Sequence, residues 1–476
     1  MNHVENMSLD QDLTPKQRID KLIINAQAAM GEFFLTQERI DEAVTALAWS
    51  IFEPSRAREL AVMAVQDTGL GDVESKVIKN TRKTFGTLRD LLRVKTTGVI
   101  EEDIKKGITK YAKPVGIVAA ISPSTNPAAT PVNKAMMAIK GGNAVIIAPS
   151  PSGLITTTAT VNYMRAELKK IGCPEDLVQV LPSPVNKELT QELMNQADLI
   201  VCTGSQNNVR RAYSSGTPAI GVGAGNVPVI IDETADLKDA AIKIQESKCF
   251  DNSTSCSSEN SVTILESIYN DAIQALKDAG GYLCSAEEKE KISRTLWVDG
   301  HLNRHVIAKD PSVLAEICGL GDGAKEAKFF LVEDVCAVGQ EHPFSNEKLS
   351  LVLTVYRVPN FKKAKEHVQN ILDFVGMGHS VGIHTKSDEN VRILAEELKV
   401  VRVLVNQAHT FGNGGSFTNG LNFTLSMGCG TWAGNSISEN LNYRHFINVT
   451  HLIREIAEDK PSEAQLFGQY WQKYGK

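Results

Sequence analysis

From Lys113 onward the chain alternates short apolar runs with stretches of helical spacing: VGIVAAIS, a helix through NKAMMAIKGG, NAVIIAPS, a helix ending near Lys170, LVQVLP, a further helix, and LIVCTG. Short apolar runs separated by helices pair side by side as a mainly parallel sheet with helices on both faces. Such sheets bind ligands at the carboxyl ends of their strands. A second series of the same kind begins near Asp232, with strands at SVTILES, LSLVLTVYRV, SVGIHT and VRVLVNQ separated by helices such as VRILAEEL. Ahead of both, DKLIINAQAAMGEFF and RIDEAVTALAWSIF repeat apolar side chains at three- and four-residue spacing, the pattern of amphipathic helices. Two segments fit neither series, GVIEEDIKKGITKYA before Lys113 and YRHFINVTHLIREI after Asn442. They are expected to pair as a projecting sheet that serves oligomer contacts.

The 476 residues are too many for one ordinary domain and favour two or three packed α/β units. The net charge of −6 is small for this length and both signs are interspersed, so there is no electrostatic footprint for nucleic acid or an anionic membrane. A small-molecule enzyme fits this balance. No run of eighteen apolar residues appears, and the polar start MNHVENMSLDQDLTPKQ has neither the layout of a secretory signal nor a clear apolar stripe. A cytoplasmic protein is expected.

The eight cysteines show no C-x-x-C pair and no His/Cys spacing suited to tetrahedral zinc, so neither disulfides nor a structural metal is expected. Most lie in apolar contexts such as LIVCTG, where cysteine acts as a small core residue. Cys256 differs. It sits in FDNSTSCSSENS, among hydroxyl side chains and backbone N–H groups that can stabilise a thiolate, although a structural thiol would also fit such a loop. Asn126, in SPSTNPAATP directly after a strand, reads either as part of a helix cap or as an oxyanion donor. The glycine-rich AIGVGAGNVPVIID signals close backbone packing and only weakly a dinucleotide loop, because the strand-turn-helix order is missing. No P-loop, H-E-x-x-H or Ser-His-Asp motif is present.

From about Lys16 to Glu455 the chain resembles the aldehyde dehydrogenase superfamily, and within it the acylating branch. The motifs are KPVGIVAAISPSTNP, GGNAVIIAPSPSG, AYSSGTPAIGVGAGNVPVIIDETAD, FDNSTSCSSEN, PFSNEKLS, GMGHSVGIHT and SMGCGTWAGNSISEN. Among acylating families the likeness is greatest to the sulfoacetaldehyde dehydrogenases and to the aldehyde dehydrogenase half of the bifunctional aldehyde-alcohol dehydrogenases. The chain ends at Lys476 without an alcohol dehydrogenase half, so a standalone enzyme is expected. The resemblance implies a Rossmann-type cofactor domain over residues 1–231, with 98–114 contributing to the oligomerisation sheet. A catalytic α/β domain over 232–418 and a returning tail over 419–476 complete it. A homodimer or homotetramer is implied.

It also implies the site. Cys256 would be the nucleophile, Asn126 with the Cys256 N–H the oxyanion holder, and His379 a histidine near the reacting centre. Cofactor contacts would come from Ser122, Pro123 and Ser150, from Gly204, Ser205 and Gly223, and from Glu347 on the nicotinamide ribose. Hydrolytic members carry a glutamate base where this chain has Val222. Such a base typically contributes two to four orders of magnitude, so the acyl-enzyme would wait for coenzyme A, whose thiol has a few per cent thiolate at neutral pH without help. A hydrolytic enzyme with its base elsewhere and a catalytically silent scaffold are the competing readings.

Ala148 stands where the superfamily has a ribose-binding lysine, and Ser150 and Pro151 follow where NAD-selective relatives often have a carboxylate. NADP is therefore expected to be accepted and preferred, with NAD the alternative. Ser253, Thr254 and Ser255 replace the apolar residues that precede the cysteine in acetaldehyde-using relatives, and Thr254 and Ser255 are read as substrate contacts. His409, Asn413, Ser416, Thr418, Tyr443 and Arg444 add polar groups, with the Arg444 guanidinium taken as the anion holder. Sulfoacetaldehyde is the expected substrate, ahead of acetaldehyde and succinate semialdehyde, in either direction.

Overall fold

A computed structural model describes residues 13–33 and 36–476. Residues 1–12 of the polar start, and Phe34 of the first helical motif, lie outside the described residues. The first sheet has five parallel strands in the order Val178–Val180, Ala144–Ala148, Ile117–Ile121, Leu199–Cys202, Ala219–Gly221. Winding starts in the centre at Ile117–Ile121, runs outward through Ala144–Ala148 and Val178–Val180, then crosses back to Leu199–Cys202. The reversal opens a crevice beyond the carboxyl ends of the two central strands. Ser122 and Pro123 leave one of those ends, Thr203, Gly204 and Ser205 the other. All side chains of Ile117–Ile121 and Ala144–Ala148 are buried. Each large aliphatic among them contributes roughly 1.5–3 kcal/mol relative to exposure.

Ala219–Gly221 is a strand inside what the sequence presents as a glycine-rich loop. Its three residues are too few to show periodicity. A Cβ on Gly221 would lie 2.6 Å from Val209 and 2.9 Å from Tyr213, so glycine here lets the helix Gln206–Ser214 pack flush on the strand.

The second sheet has seven parallel strands: Gly281–Leu283, Phe329–Glu333, Val352–Val358, Glu259–Leu265, Val227–Ile231, Val381–His384, Val403–Val405. Three of them lie outside the four runs picked from the sequence. Of these, Val227–Ile231 is central, and the sheet therefore begins ahead of Asp232. Pro228 masks it, because proline argues against a central strand; the register shift between Val227 and Pro228 accommodates the ring. Glu259–Leu265, the middle strand, pairs beside it, and the segment at its amino end, with Cys256, lines the same cleft as the ends of the first sheet's central strands.

The two segments that fit neither series pair with each other. Ile447–Ile453 runs antiparallel to Ile108–Pro114, which in turn pairs with Gly98–Asp103, in a three-stranded sheet with much of its surface exposed. Leu441 and Phe446, just ahead of the last strand, are buried in the first domain's core. The N-terminal helices include Gln37–Phe52, whose Ile40, Val44, Leu47 and Ile51 are buried in that core, and Val73–Ile78. Val73–Ile78 continues into a π-helical turn, Lys79–Lys83, and then Thr84–Leu92. Among the described residues no helix is long and apolar enough to cross a membrane.

Candidate active site

The helix Leu237–Cys249 ends in a turn where Asp251, Asn252 and Ser253 all take left-handed backbone angles, φ 51, 50 and 65°. Non-glycine residues in that region cost about 1–3 kcal/mol each and persist only when their surroundings hold them. Here the Asp251 carboxylate, fully buried, accepts from Lys76 Nζ at 3.1 Å, Lys79 Nζ at 2.5 Å, Thr254 Oγ1 at 2.7 Å and the Asp72 N–H at 2.9 Å. Asn252 donates to Asp310 at 2.7 Å, and the Ser253 hydroxyl meets Ser258 at 2.6 Å and Lys248 at 3.1 Å. The turn delivers Thr254, Ser255 and Cys256 into the crevice.

Cys256 is half-buried, with its side chain on the cleft. Burial pushes its thiol up to about 12, with Glu347 and Cys429 adding to the rise, while Arg402 and the Ser257 hydroxyl oppose it. Arg402 is itself buried, its Nε donating to Asn413 Oδ1 at 2.7 Å, and Asn413 Nδ2 donates to Ser257 Oγ at 2.9 Å. A cation thus stands behind the thiol through a fixed chain of hydrogen bonds. Lys76 also joins the two loops of the site, because its ammonium donates at 3.1 Å both to Asp251 and to the Thr125 carbonyl beside Asn126. The Asn126 amide has only a 3.4 Å contact to Thr125 Oγ1, which leaves it able to serve a ligand. Gly225 packs against the nucleophile's backbone: a Cβ there would lie 2.2 Å from the Cys256 carbonyl oxygen.

One cleft of about 1470 Å³ takes in Cys256, Asn126, Thr254, Ser255 and Glu347 together with Ser122, Pro123, Ser150, Gly204, Ser205 and Gly223. Eleven residues scattered from 122 to 347 in sequence thus meet in one space. Val222 lines it too, its carbonyl accepting from Gln206 at 3.2 Å. Among the described residues Glu347 is the one carboxylate on the wall, and burial lifts it to about 8 despite Lys348 and Lys248. Cations line the cleft from two parts of the chain. Lys187, Arg210 and Arg211 come from helices that follow strands of the first sheet, whereas Lys79, Arg82 and Lys83 come from the π-helical turn, with Lys79 bonded to Thr254. The hydroxyls of Ser122 and Ser150 are buried without a hydrogen-bond partner, and Ser205 caps the helix Gln206–Ser214. Unpaired donors, a helix N-terminus and cations at the ends of parallel strands suit a phosphate-bearing dinucleotide.

Two expected site residues do not line the cleft. His379 is buried behind the wall, because its neighbour Gly378 packs so tightly on Cys429 that a Cβ would lie 2.0 Å from that carbonyl oxygen. Its Nδ1 is 2.7 Å from Ser380 Oγ, which is 2.9 Å from His409 Nε2, and burial together with Arg402 pushes its ring down to about 3. Arg444 is exposed next to the projecting sheet, its Nε donating to Tyr443 Oη at 3.3 Å, and does not reach the cleft. His409 and Asn413 are buried supports, and Ser416 and Thr418 bond each other at 3.0 Å. The sequence reading passed over Lys76, Lys79, Asp251 and Arg402. Lys76, Lys79 and Lys83 do carry a signal, since they recur at three- and four-residue spacing along one face of a helical stretch.

Comparison with known proteins places this architecture. The aldehyde dehydrogenase family model matches residues 7–288. A sulfoacetaldehyde dehydrogenase (acylating) of Cupriavidus necator is 50% identical over 462 residues, 97% of this chain and 94% of that protein. The crystal structure of an acetylating aldehyde dehydrogenase from Geobacillus thermoglucosidasius superposes with a TM-score of 0.91 at 36% identity, covering 95% of this chain and all of that one. The structure of a propionaldehyde dehydrogenase from Rhodopseudomonas palustris with bound propionyl-CoA superposes with a TM-score of 0.80 at 25% identity, covering 92% and 94%. The chain belongs to the aldehyde dehydrogenase family, among its acylating members.

Proposed function

We propose that this chain is a CoA-acylating aldehyde dehydrogenase that converts sulfoacetaldehyde, coenzyme A and NADP to sulfoacetyl-CoA and NADPH, reversibly. The observation that carries the acylating chemistry is the cleft wall, which brings together the Cys256 thiol, the Asn126 amide and Val222, the residue that the resemblance aligns with the hydrolytic members' base. Cys256 Sγ as thiolate bonds to the aldehyde carbon, and the resulting alkoxide is held by Asn126 Nδ2 and the Cys256 N–H. The nicotinamide cofactor, when bound, supplies the hydride acceptor. Loss of hydride restores the carbonyl as a thioester on Cys256. Coenzyme A, its thiol proton released to solvent, attacks that carbonyl as thiolate, the C–S bond to Cys256 breaks, and Cys256 leaves as thiolate. Water competes poorly at neutral pH because Glu347, lifted to about 8, is mostly protonated there and Val222 cannot accept a proton.

The relative from Cupriavidus necator supports the substrate, and acetaldehyde or succinate semialdehyde would use the same chemistry. Ser150 and Pro151 on the cleft wall, in place of a carboxylate, support a preference for NADP over NAD. Ser122, Pro123, Gly204, Ser205 and Gly223 would hold the cofactor and Glu347 its nicotinamide ribose. A homodimer or homotetramer would form through the projecting sheet. The cytoplasm is the proposed site of action, in keeping with eight cysteines that are all free.

The test follows NADPH absorbance and acyl-CoA mass with and without coenzyme A. Steady turnover is expected only with coenzyme A, with about one NADPH per site without it, and neither in Cys256→Ala. Equal steady turnover to free acid without coenzyme A would reject the proposal.

A further inference from the structure

We propose that Arg82, with Lys79 and Lys83 on the same π-helical turn, is the seat of the aldehyde's anionic tail; this rests on the sulfonate-aldehyde reading above. Two residues before Cys256, Thr254 Oγ1 accepts from Lys79 Nζ at 2.9 Å, and that ammonium lies 5.5 Å from the centre of the Phe250 ring. Phe250 packs on Phe411 at 4.6 Å between centroids, and Phe411 lies 5.2 Å from the Arg82 guanidinium carbon. Cys256, Thr254, Phe250, Phe411, Lys79 and Arg82 all line the one cleft. An aromatic pair therefore links the Lys79 ammonium, bonded to the nucleophile's own loop, to the Arg82 guanidinium.

That guanidinium lacks an anion. Its Nη2 donates to Ser416 Oγ at 3.2 Å, but Nη1 is buried with no partner at all. Lys83 Nζ donates to the Gly414 carbonyl at 2.9 Å, and among the described residues neither Arg82 nor Lys83 has a carboxylate within ion-pair reach. Of the neighbouring cations, Lys76 and Lys79 share the one Asp251 carboxylate, and Arg89 pairs with Asp90 at 2.7 Å. Burial, with Arg82 and Lys79 adding, pushes Lys83 down to about 7, as expected of an ammonium that awaits a counter-ion. A buried donor without an acceptor costs free energy that a ligand oxygen recovers. A π-helical turn widens the helix locally and is frequent at functional sites; here it turns residues 79, 82 and 83 to one wall. On that wall the Arg82 guanidinium, with its buried and unpaired Nη1, is the donor left to take an oxygen of the anionic tail.

The test alkylates Cys256 with iodoacetamide, followed by mass spectrometry, in the presence of ethanesulfonate, which has the substrate's tail but no carbonyl, or of propionate. Ethanesulfonate is expected to protect wild type more strongly than propionate. R82Q should need about 30-fold more of it, the scale of losing one partner of a buried hydrogen-bonded ion pair, and R82K should restore part of the effect. Retained NADP binding shows that the variants are folded. No protection of wild type, equal protection of wild type and R82Q, a loss in R82Q that R82K does not relieve, or stronger protection by propionate would overturn the proposal. Turnover separates the two ideas. If wild type prefers propionaldehyde to sulfoacetaldehyde while protection depends on Arg82, the substrate reading falls and the seat stands; if R82Q keeps a preference for sulfoacetaldehyde, the seat falls and the reading stands.

Discussion

Replacing Asp251 by asparagine removes one charge and keeps the shape, and the structure makes this a severe change. The carboxylate is fully buried and answers two buried ammoniums, Lys76 at 3.1 Å and Lys79 at 2.5 Å. Taking away one partner of a buried ion pair costs about 3–5 kcal/mol, because the other charge is left uncompensated. The cost falls on a turn that already holds three left-handed residues. Local opening of residues 250–258 should therefore become easier by roughly 10²- to 10⁴-fold, read as lost amide hydrogen-exchange protection in that peptide. Turnover should fall as well, since Lys76 also fixes the Thr125 carbonyl beside Asn126. Adding Lys79→Met removes one stranded cation and should recover part of the protection. The pH dependence has a definite sign. Burial pushes the Asp251 carboxyl up, but the Lys79 and Lys76 ammoniums and the hydrogen bonds from Lys79 and Thr254 outweigh it and hold it below the ordinary range. Its stabilisation is thus complete above the unfolded value, about 3.9, and is lost as pH falls through the folded value. That acid loss should be missing in the variant. Wild-type exchange in Asp251→Asn would refute the argument.

Asn126→Ala should lower kcat about 10²- to 10³-fold, the usual loss for one oxyanion donor, with little change in KM; an effect confined to KM would make it a binding residue only. Ser150→Asp places a carboxylate where a 2′-phosphate is expected, so the NADP-to-NAD ratio of kcat/KM should fall more than about tenfold, measured side by side. Deleting residues 447–476 removes the strand Ile447–Ile453 and leaves Ile108–Pro114 as a free edge. Sedimentation should then show monomeric or unstable protein, and an unchanged oligomer would contradict the assembly proposal.

What could be read from the sequence divides along a physical line. Motif residues that stand at the ends of long, apolar strands were placed by the strand itself: Ser122 and Asn126 follow Ile117–Ile121, and Cys256 precedes Glu259–Leu265. Short or interrupted strands were not found, Ala219–Gly221 because three residues show no period and Val227–Ile231 because Pro228 speaks against a central strand. The cations behaved differently again. Lys76, Lys79 and Lys83 look like the charged stripe of a surface helix, and only the packing of that helix over the Cys256 loop turns the stripe inward.

Arg444 shows the same point in reverse. An arginine near other polar residues in sequence is a reasonable holder for an anion, yet what a guanidinium can do depends on whether it is desolvated beside the reacting group. Arg444 is solvent-exposed and bonded to Tyr443, where an ion pair with a substrate would be screened by water to about 1 kcal/mol or less. Arg82 has three aromatic rings, Phe411, Phe417 and Phe423, within 5.7 Å and a buried Nη1 without an acceptor. The same side chain is therefore worth several-fold more there. On the seat proposed above, substrate choice rests less on the hydroxyls flanking Cys256, since Thr254 is already bonded to Asp251 and Lys79, than on which charge the N-terminal helices carry into the cleft.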